Sequence, residues 1–238
     1  MAVTAPAAAP QRRRRLKGAD RIATILDAAA ELFAEDGFSG STREISRRLG
    51  VTQALLYRYF PSKDALIAAT LDRAFGNRWR AEWDQLLADE SIPLADRLGR
   101  FYVGYVDGMS RLRLRLWVQA ALAGQDFARR FGFKLSLKIL MPIARGLRRA
   151  AGIDPDSRPM TLGERELAMI LHGGIVFMMI RKFVYGMDIQ EPLADLVRLQ
   201  VETWVAGAIP RVRAMLAGES EPRLIVPLLA REAGGGSR

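Results

Sequence analysis

The 238-residue sequence predicts an all-α protein, with a small three-helix domain near the N-terminus and a larger helical bundle behind it. Three observations lead to this fold class. Apolar residues recur three and four positions apart along most of the chain, which is the spacing of the buried face of a helix. Motifs that begin with serine or threonine mark the start of several of these segments. Glycine and proline then separate the segments at helical lengths.

Composition and charge limit the classes of protein that fit. Half of the residues are hydrophobic, as in globular proteins, and no apolar run reaches the ~18 residues of a membrane helix, so no membrane partner is expected. The sequence has no cysteine, which excludes disulfides, thiolate catalysis and cysteine-based metal sites. The net charge of +10 favours a polyanionic partner, but it is spread along the chain and does not locate a site. Because no secretory signal is found, a cytoplasmic protein is expected.

Residues 1–19 are predicted to form a disordered basic arm. They are rich in alanine and proline and contain four consecutive arginines, Arg12 to Arg15, without a periodic apolar face. An arm of this kind can order along phosphates or in a minor groove, or it can remain a solvated tail. The sequence leaves both interpretations open.

A first helix is predicted from Asp20 to Glu35. Ile25 and Leu32 lie on one face of it at helical spacing, together with other apolar residues. This face is expected to pack behind the two helices that follow. Gly37 and Gly40 supply the turn between the first helix and the second.

The next stretch predicts two short helices joined by a tight turn. Ser41 and Glu44 have the spacing of a capping box. In this motif the Ser41 side chain accepts a hydrogen bond from a backbone amide of the first turn, and the Glu44 side chain accepts one from the backbone amide of Ser41. Gly50 ends this helix in the left-handed conformation. Thr52 then caps a second helix, Gln53 to Tyr59. Two helices around a glycine-bearing turn form a helix-turn-helix, whose second helix enters the major groove of DNA.

From about Asp20 to Leu66 the sequence resembles the DNA-binding domain of the tetracycline-repressor (TetR) family of bacterial regulators. The resemblance covers roughly a fifth of the chain. The matching segments are Ile25-Leu-Asp-Ala-Ala29, Leu32-Phe-Ala-Glu-Asp-Gly37-Phe38, Arg43-Glu-Ile45, Gly50-Val51, Leu56-Tyr57-Arg-Tyr59-Phe60 and Ser62-Lys63-Asp64-Ala-Leu66. The resemblance implies a dimeric repressor that a small-molecule effector releases from a palindromic, double-stranded DNA operator.

Resemblance and helix geometry together assign the DNA contacts. The N-terminus of the first motif helix is expected to face phosphates. Gln53 can bond adenine through its carboxamide, while Ala54 and Leu55 offer apolar contact to a thymine methyl. Leu55 departs from the family, which commonly has a hydroxyl residue there, so that contact is expected to be apolar. The predicted DNA-binding residues are Ser41, Thr42, Arg43, Thr52, Gln53, Ala54, Leu55, Tyr57, Arg58, Tyr59 and Lys63.

A fourth helix is predicted from Ser62 onward, continuing as far as Trp83 or beyond. It would connect a DNA-binding domain, residues 20–68, to an effector-binding and dimerisation domain, residues 69–217. Residues 218–238 are predicted to be a flexible tail because of their glycine, proline and alanine content.

The remainder of the chain predicts five further helices. Pro142 is expected to kink one of them, and Pro210 is expected to end or bend another. Thr161 and Glu164 form a second capping box. The predicted helices are Pro93–Met109, Arg111–Leu122, Asp126–Ala151, Thr161–Gly186 and Pro192–Ile209.

The last two helices are the predicted dimer interface, because their patterns suit a four-helix bundle across a two-fold axis. Aromatic residues on several C-terminal helices form either the core or, as the resemblance implies, the lining of an effector cavity. An effector would then shift the connector helix and change the separation of the recognition helices. The candidate effector-binding residues are Phe101, Tyr105, Trp117, Phe131, His172 and Phe177.

Two side-chain sets have more than one interpretation. His172, the only histidine, is a packed or interface residue or a ligand hydrogen-bonding group, since catalysis would need a third positioned group. Arg111 and Arg115 form either a solvated basic face or an anion site. No cofactor or metal site is predicted, and the chain is not expected to be an enzyme. The alternatives are a charge-driven, non-specific DNA-binding protein and a helical enzyme that uses carboxylates or lysines.

Overall fold

The computed structural model describes residues 18–76, 79–124 and 133–218, and within these residues it is helical with no β-strand. The all-α prediction is therefore confirmed. A 3₁₀ turn at Gly37–Ser39 and a π-helical turn at Ser136–Leu140 accompany ten α-helices in the described part. The α-helices are α1 Gly18–Asp36, α2 Thr42–Leu49, α3 Gln53–Tyr59, α4 Lys63–Phe75, α5 Ala81–Ala88, α6 Leu94–Asp107, α7 Arg111–Leu122, α8 Met141–Ala150, α9 Leu162–Phe183 and α10 Leu193–Leu216.

Most of the predicted arm and tail lies outside the described residues. The first helix starts at Gly18, two residues before the predicted start. Within the described ranges, no helix is both long enough and apolar enough to span a bilayer. The same ranges contain no cluster of acidic or histidine side chains that would hold a metal ion.

Two hydrophobic cores organise the helices. The N-terminal core is built on α1, whose Ile25, Leu32 and Phe33 are fully buried, and α2, α3 and α4 pack around it. The C-terminal core joins α5, α6, α8, α9 and α10, with Phe101 and Ile143 among its buried side chains. Each core buries the apolar stripe that its helices show in the sequence.

Helix α7 contributes to both cores. Leu114 is buried in the C-terminal core, whereas Leu116 and Ala120 are buried in the N-terminal core. Arg115 strengthens the junction, because its Nε donates to the carbonyl oxygen of Ala34 near the end of α1, at 3.1 Å. The expected solvated basic face is therefore wrong for Arg115, which is half-buried.

Helix α4 packs on α1 and borders a cleft that also contacts α7. A cleft of about 340 Å³ lies between α1, α4 and α7, and Leu26, Thr70 and Leu112 are among the residues that line it. At the same cleft Arg73 Nε donates to Asp27 Oδ1 at 2.8 Å, which ties α4 to α1. Helix α1 thus rests directly on α7, and α4 rests mainly on α1.

The predicted continuation of the fourth helix to Trp83 is wrong. Helix α4 ends at Phe75, and the backbone of Arg80 is extended before α5 begins at Ala81. Trp83 and Leu87 then bury one side of α5 in the C-terminal core. Helix α5 thus packs on the C-terminal core, whereas α4 packs on the N-terminal core.

The two predicted prolines lie inside helical segments. Pro142 follows a π-helical turn, Ser136–Leu140, that runs directly into α8, so the helix is irregular next to the proline, where the kink was predicted. Pro210 does not end α10, which continues to Leu216. Val212 and Met215 are buried beyond the proline, so packing holds the last turns in place.

A buried ion pair links α8 to α9. Thr161 and Glu164 form the predicted capping box, and both carboxylate oxygens of Glu164 also accept from Arg148, Nε to Oε1 at 2.5 Å and Nη2 to Oε2 at 2.8 Å. Both charged side chains are fully buried. Arg148 donates in addition to the carbonyl oxygens of Pro155, Arg158 and Pro159. The arginine therefore holds the whole loop between α8 and α9.

Candidate DNA-binding surface

The start of α2 is set by one half of the predicted capping box. Ser41 Oγ accepts from the Glu44 amide at 3.2 Å. The prediction that the Glu44 side chain reaches back to Ser41 is wrong, because its carboxylate bonds forward to Arg47 and Arg48. The hydrogen bond from Arg47 lowers the pKa of Glu44 below its ordinary value. Glu44 thus partly compensates two cations near the motif.

The turn between α2 and α3 has the predicted geometry. Gly50 has φ 60° and ψ 36°, a left-handed conformation that glycine adopts without a Cβ clash. The Gly50 amide donates to the Arg47 carbonyl at 3.1 Å, and the Val51 amide donates to the Ser46 carbonyl at 3.0 Å. These two bonds close the end of α2 and fix the direction in which α3 leaves.

Helix α3 begins at its predicted cap and buries its predicted face. Thr52 Oγ1 accepts from the Leu55 amide at 3.2 Å, which confirms Thr52 as the N-cap. Leu56 and Phe60 are buried against the N-terminal core. The opposite face of α3 carries Gln53 and Ala54, both exposed. This exposed face is the one that carries the predicted base contacts.

The predicted DNA-binding residues differ in their exposure to solvent. Leu55, Tyr59 and Lys63 are half-buried. Thr42 is buried, with 8% of its surface exposed. The exposed members are Ser41, Arg43, Thr52, Gln53, Ala54, Tyr57 and Arg58. Their contacts with DNA stay predictions.

Thr42 joins the two motif helices. Its Oγ1 lies 3.1 Å from Tyr57 Oη and accepts from Gln53 Nε2 at 3.4 Å. Sequence reasoning placed all three residues at DNA but did not foresee that they contact one another. Helical spacing carries no signal for this contact, since it depends on the angle between α2 and α3.

Three of the candidate effector-binding residues share an aromatic cluster in the C-terminal core. The ring centroids of Phe101 and Tyr105 lie 5.9 Å apart, and those of Tyr105 and His172 lie 5.7 Å apart. Tyr102, which was not among the candidates, joins them through a 3.3 Å hydrogen bond between its Oη and His172 Nδ1. Because Tyr102 precedes Tyr105 by three residues on α6, helical spacing could have identified it.

His172 is neutral in this cluster. Burial lowers its pKa to about 4, because the imidazolium would lose its hydration. Burial likewise raises the pKa of Tyr102 well above its ordinary value. The pair therefore offers neutral hydrogen-bonding groups among aromatic rings.

The other candidate effector-binding residues do not join this cluster. Trp117 is partly buried against the C-terminal core from α7. Phe177 is 52% exposed and contacts Tyr185, with ring centroids 6.2 Å apart. Phe131 lies outside the described residues. Phe177 therefore lies on the surface of α9 and not in the cluster where it was predicted to contact an effector.

Comparisons with known proteins agree with this geometry. The family model of bacterial regulatory proteins of the tetR family matches residues 25–70. The chain is 37% identical over 94 residues to the HTH-type transcriptional repressor Rv3405c of Mycobacterium tuberculosis (strain H37Rv), covering 39% of this chain and 50% of the relative. It is 26% identical over 92 residues to the HTH-type transcriptional regulator YvaF of Bacillus subtilis, covering 39% of this chain and 48% of the relative. The chain therefore spans about half the length of the curated relatives it matches.

Solved structures extend the likeness to the whole described fold. A TetR-like transcriptional regulator from Rhodococcus sp. RHA1 superposes with a TM-score of 0.62 at 24% identity, covering 81% of this chain and 100% of the other. A TetR-family transcriptional regulator from Streptomyces coelicolor has a TM-score of 0.58 at 18% identity, covering 86% of each chain. At these identities the likeness concerns the fold.

The names of these relatives describe transcriptional regulators. The family match covers the helix-turn-helix whose caps, turn and exposed face are described above. The structural match covers the helical domain that follows it. Residues 25–70 thus match the tetR family of bacterial regulatory proteins, and the fold of the chain resembles that of TetR-like regulators.

Proposed function

We propose that this protein is a sequence-specific, DNA-binding transcriptional repressor that acts as a homodimer in the cytoplasm and leaves its operator when a small molecule binds. The observation that carries the proposal is the geometry of α2, the Gly50 turn and α3. Both helices are capped at their starts, and Gln53 and Ala54 project from the exposed first turn of α3. That is the part of a recognition helix that contacts base edges.

Selection of binding sites from a random duplex pool tests the central claim. The full-length protein should enrich a roughly palindromic sequence whose half-sites lie about one helical turn, ~34–36 Å, or a multiple of it apart. A Gln53→Ala variant should lose preference at one base position in each half-site, by about 1–3 kcal/mol. Equal affinity of the wild-type protein for random and enriched duplexes would support the alternative of charge-driven, non-specific binding instead.

The dimer is proposed to form through α9 and α10. Both helices carry large apolar side chains on the surface of the single chain: Ile170 is 62% exposed, Phe177 52% and Leu199 60%. A surface of this kind indicates a protein interface. Ile170→Glu should convert the dimer to a monomer in sedimentation experiments. Leu122→Glu, a matched change at a 79% exposed apolar residue of α7, should leave the dimer intact.

The effector is proposed to bind at the aromatic cluster of Phe101, Tyr105 and His172. The neutral hydrogen-bonding groups there suit an uncharged, partly aromatic molecule. A ligand at this position would bear on the C-terminal core, in which Leu114 of α7 is buried.

The signal is proposed to travel through α7 as well as through the connector α4. Leu116, two residues beyond Leu114, is buried in the N-terminal core, and Arg115 holds the end of α1. A shift of α7 would therefore move α1 and the motif helices with it. The cleft between α4 and α7 leaves α4 room to follow. The ligand would act through its different affinity for the two arrangements.

A further inference from the structure

The hydroxyl group of Thr42 lies at the junction between the two helices of the motif. Thr42 is the first residue of α2, between exposed Ser41 and Arg43, yet its own side chain is buried. Its Oγ1 contacts two residues of α3 that are themselves exposed, Gln53 at 3.4 Å and Tyr57 at 3.1 Å. The hydroxyl therefore faces the recognition helix and not the solvent.

We propose that Thr42 is a positioning residue for base recognition, which orients the side chain of Gln53 instead of donating its hydroxyl to a phosphate. This inference rests on the proposed function, because it assigns how the same DNA-binding surface achieves sequence preference.

The donors and acceptors of the three side chains favour one order. Gln53 Nε2 can only donate, so the Thr42 oxygen accepts from it. The single proton of Thr42 is then available to Tyr57 Oη. Tyr57 keeps its own proton, which can point outward to a phosphate oxygen. One chain of hydrogen bonds thus connects the predicted base contact to the predicted backbone contact.

The bond to Thr42 leaves Gln53 able to read a base. Its carboxamide has two N–H groups and one carbonyl oxygen, and one N–H is used by Thr42. The remaining N–H and the oxygen are the pair that bonds adenine at N7 and N6. An exposed glutamine without this bond would have to be ordered at the moment of binding, which lowers affinity for the correct sequence.

The test compares Thr42→Val with wild type on two duplexes of equal length. One is the sequence that the wild-type protein enriches from a random pool, and the other is a scrambled version of it. Loss of the hydrogen bond to Gln53 should lower the preference for the enriched duplex about 3- to 10-fold per half-site. Affinity for the scrambled duplex should stay unchanged. Thr42→Ser, which keeps the hydroxyl, should restore the preference.

Thr70→Val is the matched control, because Thr70 is a buried threonine of α4 whose hydroxyl donates to the Leu66 carbonyl, outside the two motif helices. The Thr70→Val variant should prefer the enriched duplex over the scrambled one as strongly as the wild-type protein does. Thermal melting monitors folding of every variant. If Thr42→Val fails to fold, Thr42→Ala replaces it, since alanine suits the first turn of a helix.

A double-variant comparison separates positioning from direct contact. If Thr42 acts through Gln53, adding Thr42→Val to Gln53→Ala should cause no further loss of preference. Equal loss of affinity for both duplexes in Thr42→Val would show a phosphate contact and overturn the proposal, as would an unchanged preference. If the wild-type protein enriches no sequence, the proposed function itself fails. A wild-type protein that enriches a sequence, together with an unchanged preference in Thr42→Val, would therefore contradict the positioning role of Thr42 and leave the proposed function standing.

Discussion

Replacing Glu164 with glutamine tests the structural role of the buried ion pair between α8 and α9. The Glu164 carboxylate accepts four hydrogen bonds and is fully buried. Its Oε2 accepts from Arg148 Nη2 and from the amide and hydroxyl of Thr161, each at 2.8 Å, and its Oε1 accepts from Arg148 Nε at 2.5 Å. Glutamine has nearly the same shape but carries no charge and only one acceptor oxygen.

The expected cost follows from these contacts. The amide group of the glutamine would best occupy the position of Oε1, where only one donor is lost, and would then face the Nε–H group of Arg148. The guanidinium would remain buried without a counter-ion. Removing one partner of a buried ion pair costs about 3–5 kcal/mol. The free energy of unfolding of a domain is about 5–15 kcal/mol, so the loss is large.

Urea denaturation followed by circular dichroism measures the change. With an m-value of about 2 kcal/mol/M, the unfolding midpoint of Glu164→Gln should fall by about 2 M. Asp156→Asn is the matched control. Asp156 lies in the loop between α8 and α9 and pairs with Arg145 of α8, but its side chain is 67% exposed. Its midpoint should change far less, as expected for a surface pair. A similar shift in both variants would refute the reasoning.

The same carboxylate predicts a pH dependence. Burial raises the pKa of Glu164, but the hydrogen bonds and charge of Arg148 and the bonds from Thr161 outweigh it, so the pKa lies below its ordinary value. The unfolded chain therefore binds this proton more readily. The contribution to stability is complete above the ordinary pKa and is lost as the pH falls through the lowered one. Acid titration of stability in Glu164→Gln should lack this component.

Three further predictions concern other parts of the chain. The pKa of His172, lowered to about 4, lies below that of the unfolded state, so the free energy of unfolding should decrease as the pH is lowered from ~6.5 to ~4. His172→Phe should flatten this part of the pH profile of thermal melting. Arg43→Ala should weaken binding to all duplexes and reduce the salt slope by about one unit, and an unchanged slope in a salt titration would remove Arg43 from the phosphate contacts. Arg115→Ala should speed hydrogen exchange at the C-terminal end of α1 by about tenfold, through loss of the bond to Ala34, with exchange in α9 as the internal control.

Local signals made the helix-turn-helix predictable. Ser41 and Thr52 cap the helices that follow them, and Gly50 takes the left-handed conformation in the turn. Each of these features depends on a few neighbouring residues, because capping and glycine geometry act within about one helical turn. The same holds for the Thr161 capping box. The burial of Leu56 followed from spacing alone.

Other features could not be decided from the sequence pattern. The side chain of Glu44 had two possible sets of partners within one helical turn, the backbone amide of Ser41 and the side chains of Arg47 and Arg48. In the structure it accepts hydrogen bonds from the two arginines. Phe101 and Phe177 look equivalent in the sequence, yet one is buried and the other is half exposed. A helical pattern marks an apolar face but does not state what covers that face.

The sequence by itself thus determined an all-α chain with a capped helix-turn-helix and the surface of α3 that presents Gln53, since these depend on contacts within a few residues. Only the tertiary structure decided that α7 belongs to both cores, that Arg148 reaches Glu164 from another helix, and that Thr42 faces Gln53 and not solvent. Those outcomes depend on how separate helices cross and pack, which hydrophobic periodicity does not encode.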